Sequence, residues 1–113
     1  IGADTISDED FLNKIGSYPL ILSAKESKVP VFVVSDNSKI LPKCLKMSKG
    51  ERHPSKEVWD NDEIKVYNEY FERVPLKYVS FVIGKKQFKE NEIKMEIKRK
   101  EVSNLLKEIY PLR

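Results

Sequence analysis

The residues with the clearest chemical potential fall within the first fourteen positions. Asp4 closes the short run IGAD, and Asn13 and Lys14 stand just ahead of Gly16 and Ser17, where a helical pattern begins. A lysine and an amide donor at such a place suit an anion, because free backbone N–H groups and the helix dipole gather there. Asp4, fixed at a strand end beside a bound phosphate, would be placed to exchange protons with a sugar hydroxyl or carbonyl. Spacing alone leaves plainer roles open, Asp4 as the cap of a turn and Asn13 as the brace of a loop. NKIGS is not a phosphate-binding P-loop, because the glycine-rich stretch before the lysine is absent.

These residues need elements to position them. Ile1 to Thr5 reads as the end of a strand, and Ser7 to Asp10 as an acidic connection without apolar period. From Ser17 the pattern is helical: Ser17 can cap, Pro19 is tolerated in a first turn, and LILSAKESK follows. VPVFVV (29–34) is a continuous β-branched and aromatic run, the pattern of a parallel strand covered on both faces. Strand, helix and strand in this order predict a right-handed βαβ unit. In an open parallel sheet, ligands bind beyond the carboxyl ends of the strands, which would bring Ser35, Asp36 and Asn37 to the same end as Asp4.

Residues 35–62 hold two prolines, one glycine and many charges, and read as a long connection with at most a short helical turn. IKVYN (64–68) is a candidate short strand, and YVSFVIG (78–84) is a clear one, ended by glycine. IKMEIK places Ile93, Met95 and Ile97 on alternate positions, so it predicts an edge hairpin with KKQF near residues 85–98; a helix is the alternative. KEVSNLLKEIY (100–110) has helical apolar spacing and predicts a closing helix. The expected fold class is α/β: a Rossmann-like, mainly parallel sheet flanked by helices, in a single domain over residues 1–113.

Composition narrows the class of function. The 113 residues carry 21 basic and 18 acidic side chains, a net charge of +3. The short basic clusters Lys85-Lys86 and Lys98-Arg99-Lys100 are interleaved with glutamates, so they read as a solvated face and direct nucleic-acid binding is not expected. No apolar run approaches the ~20 residues that span a bilayer, and no membrane association is expected. The single cysteine, Cys44, excludes an internal disulfide and fits a reducing, cytoplasmic setting. His53 is the only histidine and has no neighbouring cysteine or histidine, so neither a metal site nor a cofactor is expected. Trp59, Tyr67, Tyr70 and Phe71 are read as packing or dimer contacts, ahead of base-stacking platforms.

Several of these segments together carry a family resemblance. IGADTI followed by FLNKIGSYPLILSAKESKVPVFVVSDNSK resembles the C-terminal half of the translation initiation factor 2B alpha/beta/delta family. That family also includes methylthioribose-1-phosphate isomerase and archaeal ribose-1,5-bisphosphate isomerase. GERHPSKEVWD is similar to its E-R-x-P-x-E-V stretch, VYNEYFERVPLKYVSFVI to its N-P-x-F-D and V-T-P segment, and KEVSNLLKEIY to its closing helix. The resemblance implies a Rossmann-like domain that dimerises, here the C-terminal half from a longer chain. In the isomerases the aspartate of GAD is the proton donor and the asparagine–lysine pair contacts the phosphorylated sugar, roles that pass to Asp4, Asn13 and Lys14. The isomerases also use a cysteine upstream of GAD. Cys44 lies downstream and does not match it. The N-P-x-F-D motif reads Asn68-Glu69-Tyr70-Phe71-Glu72 here, and the threonine after NKIG is Ser17.

Such drift points first to an initiation-factor-2B-like protein that works through oligomer assembly and regulation and keeps a residual sugar-phosphate site. Its expected partners are a second copy and other initiation-factor subunits. The alternative is a sugar-phosphate aldose–ketose isomerase in the full-length chain, and a third reading is a module that senses a sugar or nucleotide phosphate without turnover.

Overall fold

The computed structural model describes residues 1–42, 47 and 52–99. The closing helix expected over 100–110 and Cys44 lie outside these residues. In chain order the elements are β1 (Thr5–Ile6), β2 (Asp10–Lys14), α1 (Ser17–Glu26), β3 (Phe32–Val34), β4 (Arg52–His53), β5 (Asn68–Glu69), β6 (Phe71–Pro75), β7 (Phe81–Ile83), β8 (Gln87–Phe88) and α2 (Glu90–Arg99). They form a sheet β1-β2-β6, a second sheet β3-β7-β8 and a two-stranded pair β4-β5.

This is not the mainly parallel Rossmann-like sheet expected from the sequence. Among the named strands only β3 and β7 pair in parallel, and the other four pairings are antiparallel. The physical reason begins at Ser7. Its hydroxyl accepts the N–H groups of Glu9 and Asp10 at 3.3 and 3.1 Å, and its own N–H donates to the Asp10 carbonyl at 2.8 Å. The acidic connection is thus a tight turn that returns β2 antiparallel to β1. β2 then pairs along its whole length with β6. The strand entering α1 and the strand leaving it lie in different sheets, so no βαβ unit forms between them.

Three further expectations change. Gln87–Phe88 pairs with β7, and IKMEIK belongs to helix α2, so there is no edge hairpin between them. Glu92 accepts the Lys89 N–H at 3.2 Å while the Glu92 and Ile93 amides donate back to the Lys89 carbonyl, one half of a capping box. Ile93 and Ile97, four apart on the helix, are buried, and Met95 faces outward. The covered-on-both-faces reading of VPVFVV also fails: Val33 is fully buried, whereas Phe32 and Val34 are 39% and 58% exposed. Strand structure in the 64–68 stretch is limited to its last residue, Asn68, which opens β5.

The core joins the layers. Ile6, Phe11 and Val74 from the first sheet meet Val33 and Val82 from the second, with Ile21 of α1 and Ile93 and Ile97 of α2 closing over them. β2 contributes from both of its faces, since Phe11 and Leu12 are both buried. That double burial fixes its register against β6, because a one-residue slip would bring polar Asp10 or Asn13 inside.

Candidate functional site

The first sheet ends where β2 runs into α1, and the three residues singled out by sequence lie at that end. The Asp4 N–H donates to the Leu12 carbonyl at 2.7 Å, and Leu12 is also the partner of Thr5. Two residues facing one is the geometry of a bulge, a device that re-aims a side chain at the end of a ladder. Asp4 is exposed there, immediately before the strand β1 that pairs with β2.

On the far side, register pairs Asn13 with Glu72 and Lys14 with Phe71, and the Ile15 N–H continues the ladder to the Tyr70 carbonyl at 2.8 Å. The Asn13 side-chain amide donates to the Ser17 hydroxyl at 2.8 Å, and Ser17 in turn donates to the Lys14 carbonyl at 2.5 Å. Ser17 therefore locks the turn from inside, and the residue at the helix N-cap position is Gly16, at φ 100°. A left-handed residue between strand and helix is where glycine is needed.

The N-terminus of α1 is already served by the chain's own acid. Glu72 Oε1 accepts the Gly16 N–H at 2.9 Å and the Tyr18 N–H at 2.8 Å. Pro19 has no N–H to offer. The Lys14 ammonium, by contrast, reaches into the open and lies 4.7 Å from the Phe71 ring centroid and 5.4 Å from that of Tyr70. Its charge is held by two ring faces, an attraction of about 0.5–1 kcal/mol each at exposed positions.

A polar cluster keeps Tyr70 in place. Its hydroxyl donates to Glu57 Oε2, and the buried Asn68 donates to the same oxygen at 2.7 Å and to the Pro54 carbonyl at 2.9 Å. His53 stacks on the Tyr70 ring at 3.5 Å, nearly parallel. Arg52 pairs with Glu69 at 3.5 Å. The Tyr70 bond and then the Asn68 bond hold the Glu57 carboxyl below its ordinary range, and the Glu57 bond pushes the Tyr70 phenol up.

Ser35, Asp36 and Asn37 serve local structure instead. The Asp36 carboxylate accepts the Ser38 N–H at 2.8 Å, and the Asn37 side-chain Oδ1 accepts the Lys85 N–H at 3.2 Å, both at the end of β3 in the other sheet. Sequence reasoning gave no role to Glu72 or Glu57, and read Tyr70 only as a packing or dimer contact. The acid ending the Asn68–Glu72 motif was the available signal for the first of them.

The profile of the initiation factor 2 subunit family matches residues 1–86. Ribose 1,5-bisphosphate isomerase from Archaeoglobus fulgidus is 34% identical over 90 residues, covering 74% of this chain and 29% of its own length. Methylthioribose-1-phosphate isomerase from Carboxydothermus hydrogenoformans is 32% identical over 96 residues, covering 74% of this chain and 27% of its own length. Among solved structures, 5-methylthioribose 1-phosphate isomerase from Pyrococcus horikoshii OT3 aligns with TM-score 0.73 and 29% identity over 88% of this chain and 32% of its own. The delta subunit of translation initiation factor eIF-2B from A. fulgidus aligns with TM-score 0.65 and 28% identity over 74% of this chain and 27% of its own. The chain thus spans somewhat over a quarter of the length of these two curated relatives. On the extent of the profile match and these identities, the chain belongs to the initiation factor 2 subunit family.

Proposed function

We propose that this chain forms one wall of a sugar-phosphate site in a protein of the isomerase type. Lys14 supplies the charge for the phosphate, Asn13 braces the turn that carries it, and Asp4 moves protons. The observation that carries this reading is the shared placement of Asp4, Asn13 and Lys14 at one end of one sheet, with the lysine ammonium over the Phe71 and Tyr70 rings. The relatives' names support the ligand class. Aldose–ketose interconversion moves the carbon-bound hydrogen from C2 to C1 while a proton is given to the C1 carbonyl oxygen and one is taken from the C2 hydroxyl. An exposed carboxyl at a strand end can exchange the two oxygen-bound protons in turn, and the carbon-bound hydrogen needs a second group. The resemblance places the second proton-transfer group upstream of Gly2, so these 113 residues are expected to bind without turnover.

Calorimetric titration with ribose-1,5-bisphosphate tests the reading. Binding is expected, and Lys14→Ala is expected to weaken it at least about tenfold, the loss of one charge-assisted contact. Absence of binding, or binding indifferent to Lys14→Ala, overturns it.

A second reading, subunit association of the eIF-2B kind, is favoured by a different observation. Ile1, Leu20, Phe32 and Val34 line an open apolar depression of about 320 Å³ on the face of β3 and α1. Contiguous apolar surface of this sort marks an interaction site more often than scattered residues do.

A further inference from the structure

Glu72 was no candidate for chemistry, yet the start of β6 holds most of the NKIGS turn, and Glu72 is its centre. The register sets Glu72 across from Asn13, and its carboxylate takes the Gly16 and Tyr18 N–H groups at 2.9 and 2.8 Å. One residue earlier, Phe71 faces Lys14 and carries its ammonium at 4.7 Å. One before that, the Tyr70 carbonyl fixes Ile15. The place at the helix N-terminus that spacing would give to a phosphate is therefore filled by an internal anion. A second anion there would lose those two donors to a carboxylate and face its charge at short range.

Resting on the sugar-phosphate reading above, we infer that Glu72 is the positioning residue of the Asn13–Lys14 site. By filling the N-terminus of α1 it leaves the Lys14 ammonium, and not the helix amides, as the group that meets the ligand's phosphate. Gln at this position keeps an oxygen for both N–H groups and removes the charge, whereas Ala removes both. The two substitutions therefore separate placement from charge.

The experiment is a proton–nitrogen and proton–carbon NMR titration of the full chain with ribose-1,5-bisphosphate, repeated for Glu72→Gln and Glu72→Ala. In the wild type the Lys14 Cε–H signals should move with ligand while the Gly16 and Tyr18 amides stay near their starting positions. Glu72→Gln should bind within about threefold of wild type, and Glu72→Ala should lose at least about tenfold. Rescue by glutamine is the readout that general destabilisation would not give. Should the alanine variant fail to fold, the glutamine variant and the wild-type amide shifts still decide. Gly16 and Tyr18 amides that follow the ligand as strongly as Lys14 does, or an alanine variant that binds like wild type, overturn the inference. If the wild type binds no sugar phosphate, that defeats the sugar-phosphate reading and the Lys14 half of this one. The positioning half is then settled without ligand: Glu72→Ala must shift the Asn13 side-chain amide, and an unmoved signal defeats it.

Discussion

Tyr70 and Glu57 show how a surface bond can set the pH range over which a site keeps its shape. The phenol donates and the carboxylate accepts, so the pair needs Tyr70 protonated and Glu57 ionised. Glu57 is depressed below its ordinary 4.5, so its contribution is complete above that value and fades as pH falls through the lower folded-state value. Tyr70 is raised above its ordinary 10.0, so its contribution is complete below that value and fades as pH rises through the higher one. Thermal unfolding of wild type and Tyr70→Phe across pH should therefore show a gap in Tm that is widest between these limits and closes at both ends. A gap that does not change with pH would count against the bond. Gly84 makes a separate point at the same scale, where glycine is needed for room. A Cβ there would stand 2.3 Å from the Asn37 side-chain Oδ1 and 3.1 Å from the Ser35 backbone carbonyl oxygen. Asn37 would have to leave the Lys85 N–H it now accepts. Gly84→Ala should cost about 1–3 kcal/mol in urea denaturation, from crowding plus a lost hydrogen bond; an unchanged midpoint would show that the loop yields freely.

The two helices illustrate what could and could not be read from local sequence. The capping of α1 at its C-terminus follows local rules: the Lys28 N–H donates to Lys25 and the Val29 N–H to Ala24, with Lys28 at φ 57°. That is a Schellman motif with lysine in the left-handed place where glycine is preferred. Lys28→Gly should therefore stabilise the chain by about 0.5–1 kcal/mol, the relief of left-handed strain less the entropy glycine adds to the unfolded state. Thermal or denaturant unfolding reads this directly, and a destabilised variant would refute it. Helix α1 and the strand character of residues 32–34 and 81–83 were legible because apolar period and end signals agree there. In α2 they conflict: Ile93, Met95 and Ile97 alternate as a strand would, while Ile93 and Ile97 are also one helical step apart. The decision came from Glu92 reaching back to Lys89 and from Gln87–Phe88 being already paired with β7. The β2 strand was missed for the opposite reason, since DFLNK is short and has no period of its own. Its partner, β6, lies some sixty residues away, and only the tertiary pairing makes it a strand. For the site, Asp4, Asn13 and Lys14 could be singled out because local chemistry marks them. Glu72 could not, because its role exists only once β6 lies beside β2.

At the scale of the whole molecule, the uncovered side of β3 is the feature that bears on association. Phe32 and Phe81 stack at 5.9 Å across the parallel pair, and the Val34 N–H donates to the Ile1 carbonyl at 2.8 Å. Leu20 on α1, 62% exposed, extends the same apolar ground. Fully burying a large apolar side chain contributes about 1.5–3 kcal/mol, and these residues are already partly covered, so covering them yields several kcal/mol in all. Association costs roughly 4–15 kcal/mol in lost freedom, which leaves this face alone able to support only weak self-association. Sedimentation equilibrium at about 0.1–1 mM should accordingly show a concentration-dependent rise in mass, in the range where micromolar-to-millimolar contacts populate. Leu20→Gln combined with Val34→Thr should remove that rise. Both positions point away from the core, and threonine keeps the β-branched shape of the strand, so Tm should hold within a few degrees. If the doubly substituted chain associates as the wild type does, contact runs through another surface, and the exposed loop bearing Val58, Trp59 and Ile64 becomes the place to substitute next. If the wild type stays monomeric throughout, the face does not support association between copies, and the sugar-phosphate reading stands without it.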